Sequence, residues 1–248
     1  KGRYLINDID ELKFMDKLDP GVVIIHWVTN FLNPNLLKQI KKKYKCKILW
    51  NVIDIAPLTG GCHINWSCKK FHSSCNKCPA VKNVFQYRPQ KTYQIKNKIF
   101  KNLKLDFLYT GDWMGQQIKD SSLAKNKKSH KLMIPVNENN FKPNNKIKKK
   151  NPWNIKTNKK IIFFRSSSHL RKGNEILVSA INLLNKQSND IKKKFCLITI
   201  GDNHAQNLLN NSNIEYFNLG NITSEKKLVK IYQLADLFIS PSTEDVGP

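Results

Sequence analysis

Apolar runs alternate with stretches of helical period along nearly the whole chain. Residues 22–28 open on Val22, Val23, Ile24 and Ile25 and read as a buried strand. Residues 36–44 read as a short helix, 46–53 as a second strand, 106–110 as a third and 131–136 as a fourth, with a helix over 113–121. Continuous apolar strands separated by helices argue for a parallel sheet covered on both faces.

From 141 to 160 the texture changes, as Pro143, Pro152 and a dense set of lysines and asparagines replace the apolar periodicity. This stretch reads as a solvated linker. The α/β rhythm then resumes, with strands over 160–165, 195–200, 214–218 and 237–240. A helix over 174–185 places Ile176, Leu177, Ala180, Ile181 and Leu184 on one face, and another over 224–234 has Ser224 at its N-cap. The simplest architecture is α/β, two βαβ-type domains in tandem: 1–141, a linker over 142–159, and 160–248. Ligands bind such sheets at the carboxyl ends of the strands, which directs attention to the loops after Arg165, Ile200 and Ser240.

Bulk properties change this picture little. The chain has 248 residues, starts at Lys1 and stops inside what reads as a motif, so both ends are expected to be incomplete. Hydrophobic content of 40% suits a packed core. The apolar stretches are far shorter than the roughly 20 residues that span a bilayer, and no signal peptide is visible. The net charge of +25 favours anionic partners: nucleic acid, acidic lipids or phosphate-bearing substrates. A lysine- and asparagine-rich codon bias explains the same charge equally well.

Two segments carry candidate chemistry. In 163–173, Arg165, Arg171, Lys172 and Gly173 follow a strand and open a helix, where backbone amides and basic side chains suit a phosphate. Alone, this is as well read as a solvated loop. In 239–248, Glu244 lies just past a strand end, placed to accept hydrogen bonds from sugar hydroxyls, and Gly247 lets backbone approach a ligand.

Together these segments resemble the donor domain of the family-4 retaining GT-B glycosyltransferases. The shared pattern is Arg165, Arg171, Lys172 and Gly173, then Tyr232, Ala235, Asp236, Pro241, Ser242, Glu244 and Gly247. The resemblance implies two Rossmann-like domains, the second truncated. It implies that Lys172 and one of the two arginines bind the donor diphosphate and that Glu244 binds the donor sugar. In the first half, the run from Ile53 to His63, followed by Cys68, Cys75 and Cys78, is similar to bacterial members that build exopolysaccharide, O-antigen and colanic-acid repeats. There Thr59, Gly60 and Gly61 would form an acceptor-side loop. The subgroup has His-Asp where this chain has Ile53-Asp54, which is expected to weaken transition-state stabilisation, with Asp54 or His63 compensating. The catalytic candidates are thus Asp54, His63 and Glu244.

Cys62, Cys68, Cys75 and Cys78 lie in an insertion spanning about 57–88. A structural zinc site, with His63 or His72 able to replace one thiolate, is favoured over unligated thiols. A redox pair and two disulfides are the other readings, the last disfavoured in a cytosolic enzyme. Trp66, Phe71 and Phe85 are expected to pack this loop, Cys46 and Cys196 to be buried, and His26-Trp27 to pack at a strand end, with lining of the cleft as their alternative.

The leading expectation is sugar transfer from a nucleoside-diphosphate sugar to a lipid-linked or oligosaccharide acceptor, with retention. No cofactor is required for catalysis and no nucleic acid is a partner. The protein is expected in the cytoplasm, with peripheral contact to an anionic inner membrane. The alternatives are a basic, zinc-braced nucleic-acid-binding protein, whose module signatures are missing and whose basic residues are dispersed, and a degenerate transferase that binds without turnover.

Overall fold

A computed structural model describes residues 5–144, 147, 151–155, 157–188, 190–209 and 212–245. The chain divides between Ile134 and Pro135 into two compact units, each built on its own parallel sheet.

In the first unit, β1 (Val22–Ile25), β2 (Lys47–Asn51), β3 (Leu105–Tyr109) and β4 (Ser129–Lys131) lie in that spatial order, each parallel to its neighbour. Parallel neighbours need a crossover, and α1 (Leu36–Tyr44), α2 (Tyr87–Asn102) and α3 (Asp112–Asp120) supply the three. α1 buries Leu36, Leu37 and Ile40, whose spacing of one turn puts them on one face. Trp50 of β2 and Phe107 of β3 meet Phe100 of α2 edge-on, with centroids 5.6 and 6.0 Å apart.

Several sequence expectations shift here. β1 is an edge strand, and Val22 and Ile24 stay half exposed, so the run is not buried throughout. β4 ends at Lys131 rather than 136. Leu132 N still donates to Tyr109 O at 2.8 Å, but the chain then leaves the sheet, and Pro135 has no N–H for a ladder. Leu132, Met133, Ile134 and Val136 are exposed. The sequence reading missed α2 altogether, along with the opening turn of 3₁₀ helix over Ile9–Lys17, which Asp8 and Glu11 cap reciprocally.

In the second unit, β5 (Lys160–Ser166), β6 (Phe195–Gly201), β7 (Glu215–Asn218) and β8 (Leu237–Phe238) form a parallel sheet in the order β7-β6-β5-β8. The helices are α4 (Asn174–Gln187), α5 (Asp190–Lys194), α6 (His204–Leu209) and α7 (Glu225–Leu234). Strand alternation sorts the core into two faces. Ile161, Phe163, Cys196 and Ile198 pack with Ile231 and Leu234 of α7. Phe164 and Leu197 pack with Leu177, Val178 and Ile181 of α4 and with Ala205 and Leu209 of α6.

The buried face of α4 is Asn174, Leu177, Val178 and Ile181, rotated from the expected one, and Ile176, Ala180 and Leu184 point to solvent. Ser224 stands at the N-cap of α7 in extended conformation, but its side chain makes no capping bond. The stretch read as a solvated linker includes Ile147 and Ile155, both buried in the second unit's core, with Trp153 packed against it. Among the described residues no helix is long and apolar enough to cross a membrane.

Candidate functional site

The strand order of the second unit reverses at β5: the chain steps outward through β6 and β7, then returns to lay β8 on β5's other side. Such a switch point opens a crevice at the carboxyl ends of the two strands. Two loops meet there, 167–173 after β5 and 239–245 after β8. Thr243 N donates to Arg171 O at 2.9 Å, tying one loop to the other. Gly173 adopts φ +66°, and a Cβ there would lie 2.0 Å from Pro241 O, so only glycine permits this approach.

The 167–173 loop is held from beneath by Asn174, which is fully buried. Its Oδ1 accepts from Ser167 N at 2.8 Å, and its Nδ2 donates to Arg165 O and Lys172 O at 3.1 and 3.3 Å. Asp202, just past β6, braces the same loop by accepting from Ser166 Oγ at 3.0 Å and Ser168 N at 2.8 Å. Burial raises the Asp202 carboxyl, but the amides of Ser168 and His204 and the hydroxyls of Ser166 and Ser168 outweigh it and hold the group below its usual range. A carboxylate is thus fixed as the anion at neutral pH, and the loop's shape with it.

Arg171 and Lys172 both reach Asp245. Arg171 Nη1 lies 3.5 Å from Asp245 Oδ1, and Lys172 Nζ bonds Oδ2, so each carboxylate oxygen meets a different cation. Among the described residues, buried Arg171 Nε has no hydrogen-bond partner. Ion pairs with such partial exposure contribute only about 0.2–1 kcal/mol. Charge-assisted bonds to a phosphate are stronger, at about 1.5–3 kcal/mol each. Glu244 sits between Thr243 and Asp245, partly buried. Arg165 is exposed at the end of β5, with its Cγ 3.8 Å from where a Cβ on Gly201 would stand, on the β6 side of the sheet. Of the two candidate arginines, Arg171 is the one joined to Lys172 through a shared partner. Gly247 lies outside the described residues.

In the first unit, the candidates also gather at strand carboxyl ends. His63 Nδ1 lies 2.7 Å from Asp54 Oδ2, and Asp54 Oδ1 accepts from Ala56 N at 2.8 Å. Thr59 is fully buried, with Oγ1 donating to Cys62 O at 2.9 Å and accepting from Gly61 N at 3.1 Å. Gly60 packs where a Cβ would come 2.3 Å from Pro89 O. Lys96 of α2 is buried, and its Nζ donates to Ala56 O at 2.6 Å and Thr59 O at 2.9 Å. Burial lowers its pKa to about 8, against the pull of Cys62, Cys75 and Asp54. A cavity of about 120 Å³ beside this loop is lined by His26, Trp27, Trp50, Asp54, Gly61 and Lys96 among others. Trp27 is exposed and stands edge-on to His63 at 5.7 Å, so it is a wall of this cavity and not a packed core residue.

Cys62, Cys68, Cys75 and Cys78 line a second cavity, of about 290 Å³, with Phe71 and Arg88. Among the described residues no three Cys, His, Asp or Glu side chains are placed to hold a metal ion. Cys75 Sγ instead accepts from Gly60 N at 3.2 Å, and burial pushes its thiol up to about 11. All six cysteines are free, so neither disulfide is formed, and Cys46 and Cys196 are buried. Phe71 is buried in this loop, whereas Trp66 and Phe85 remain exposed, Phe85 under the Arg88 guanidinium at 4.4 Å.

Sequence reasoning missed Asn174, Asp202, Asp245 and Lys96. Asp245 was the most accessible, being an acid two residues before the singled-out Gly247; Lys96 gave no signal among so many lysines.

No family model matches the chain, and no curated protein matches it in sequence. Solved structures do match in fold. Sucrose-phosphate synthase from Thermosynechococcus elongatus is similar with a TM-score of 0.64 and 13% identity, covering 95% of this chain and 54% of that one. HepE from Anabaena, solved in complex with UDP and glucose, gives 0.57 and 11%, covering 99% and 60%. WaaG, a glycosyltransferase involved in lipopolysaccharide biosynthesis, gives 0.54 and 12%, covering 85% and 57%. The fold is therefore GT-B, two Rossmann-like domains in tandem, and the chain spans little more than half the length of these structures.

Proposed function

We propose that this chain is the greater part of a retaining glycosyltransferase of hexosyltransferase type. It moves a sugar from a nucleoside-diphosphate sugar to a lipid-linked or oligosaccharide acceptor in the synthesis of cell-surface polysaccharide. The observation that carries the reading is the corner between β5 and β8, where Arg171 and Lys172 stand beside the loop bearing Glu244. Two cations on a glycine-tightened loop suit a diphosphate, and a neighbouring carboxylate suits sugar hydroxyls. UDP and glucose in the HepE structure and the lipopolysaccharide role of WaaG support the donor class and the pathway.

In this reading, Arg171 and Lys172 hold the diphosphate, Arg165 adds long-range charge, and Glu244 and Gly247 hold the sugar. The acceptor binds the first unit beside Thr59, Gly60 and Gly61, where the Asp54–His63 pair lines the approach. A peripheral position at an anionic cytoplasmic membrane face accords with the +25 charge. A thermal-shift screen of the full-length protein against UDP-, GDP- and dTDP-sugars tests this reading, and stabilisation by at least one is expected. If none stabilises the protein, the reading is abandoned. The apolar side chain at position 53 supplies no hydrogen bond to the donor sugar, so Ile53→His is expected to raise turnover about tenfold. An unchanged rate would remove that role from position 53.

A further inference from the structure

The pairing of Arg171 and Lys172 with Asp245 has a chemical meaning beyond loop stability. A carboxylate already sits where an anionic ligand would sit, one oxygen on each cation. We infer that Asp245 is a built-in competitor for the anion site, displaced by the incoming diphosphate, and that it sets the affinity of that site. The inference rests on the reading that this corner binds the donor diphosphate.

Geometry makes the exchange local. The loop backbone is pinned by Thr243 N on Arg171 O, and by the packing of Gly173 on Pro241. Asp245 can therefore leave by side-chain rotation while the backbone bearing Glu244 stays in place. Displacement must replace a carboxylate of one negative charge. An anion with a single charge gains little over it, whereas a diphosphate offers more charge and more acceptor oxygens to the same two cations. The pairs are partly solvated, so the competitor is weak enough to yield. Arg171 Nε, buried and without a hydrogen-bond partner among the described residues, is a further donor on the same guanidinium.

Inorganic pyrophosphate and inorganic phosphate are suitable probes, measured by calorimetry on the full-length protein. Asp245→Asn, which keeps shape and removes charge, is expected to bind pyrophosphate about five- to tenfold more tightly. Asp245→Glu, which keeps the charge, is expected to remain near the unmodified protein, and Lys172→Met to lose binding in either background. Should Asp245→Asn fold poorly, Asp245→Ser provides the same charge removal. Equal pyrophosphate affinity with and without the Asp245 charge overturns the inference, as does failure of every version to bind pyrophosphate. Tightening in Asp245→Asn with no response to any nucleotide sugar sinks the proposed function and leaves the competitor role standing.

Discussion

Lys96 is an ammonium held in the interior by two backbone carbonyls rather than by a carboxylate. Unfolded, it titrates at 10.5; folded, at about 8. Between those values the unfolded chain binds the extra proton, so the stability tied to this residue rises with pH from about 8 upward. The gain is on the order of 3 kcal/mol at most. Urea denaturation at pH 7, 8.5 and 10 is expected to show that rise, and Lys96→Met to flatten it; parallel curves for the two proteins would contradict the assignment. Gly173 offers a second test. Its positive φ and the 2.0 Å approach to Pro241 O leave no space for a methyl group. Gly173→Ala should destabilise the second unit by about 1–3 kcal/mol, read by thermal unfolding, and weaken pyrophosphate binding alongside. At this scale the candidate corner was legible where the sequence marks it by residue type, as in Lys172-Gly173, which the structure brings against Pro241 and Asp245. It was not legible where a side chain acts through buried backbone, since nothing in the sequence distinguishes Asn174 or Lys96 from many other asparagines and lysines.

Elements were legible in proportion to how cleanly they separate apolar from polar. α1 follows from Leu36, Leu37 and Ile40, and β6 from its run of apolar residues, buried in the sheet. α2 was invisible because its buried row runs Tyr93, Lys96, Ile99 and Phe100, and a lysine interrupts the apolar spacing. The face of α4 rotates for a related reason: Asn174 takes an interior position to hold the preceding loop, which turns Ile176 and Leu184 outward. Replacing Asn174 with leucine would keep the helix and strip the loop of its hydrogen bonds. The expected result is a loss of about 1–3 kcal/mol in the second unit, because the Ser167 amide and the Arg165 and Lys172 carbonyls lose their partner. Unchanged stability by chemical denaturation would show that water replaces that side chain.

At the scale of the molecule, two units with separate cores should unfold separately. Phe163 is buried between strands and α7 in the second unit. Phe163→Ala is expected to lower one unfolding transition by about 3–5 kcal/mol and leave the other in place. A single shared shift in calorimetry would mean that the units unfold as one. The strand order has a further consequence, in time rather than energy. Among the described strands of this sheet β8 is made last, and Lys172 and Asp245 are 73 residues apart in the chain. At roughly 5–20 residues per second, a ribosome separates their appearance by about 4–15 seconds. During that interval the nascent chain presents Arg171 and Lys172 without their counter-charge, beside a β5 edge still lacking β8. The two cations thus wait for their counter-charge until the second of the two loops has been made.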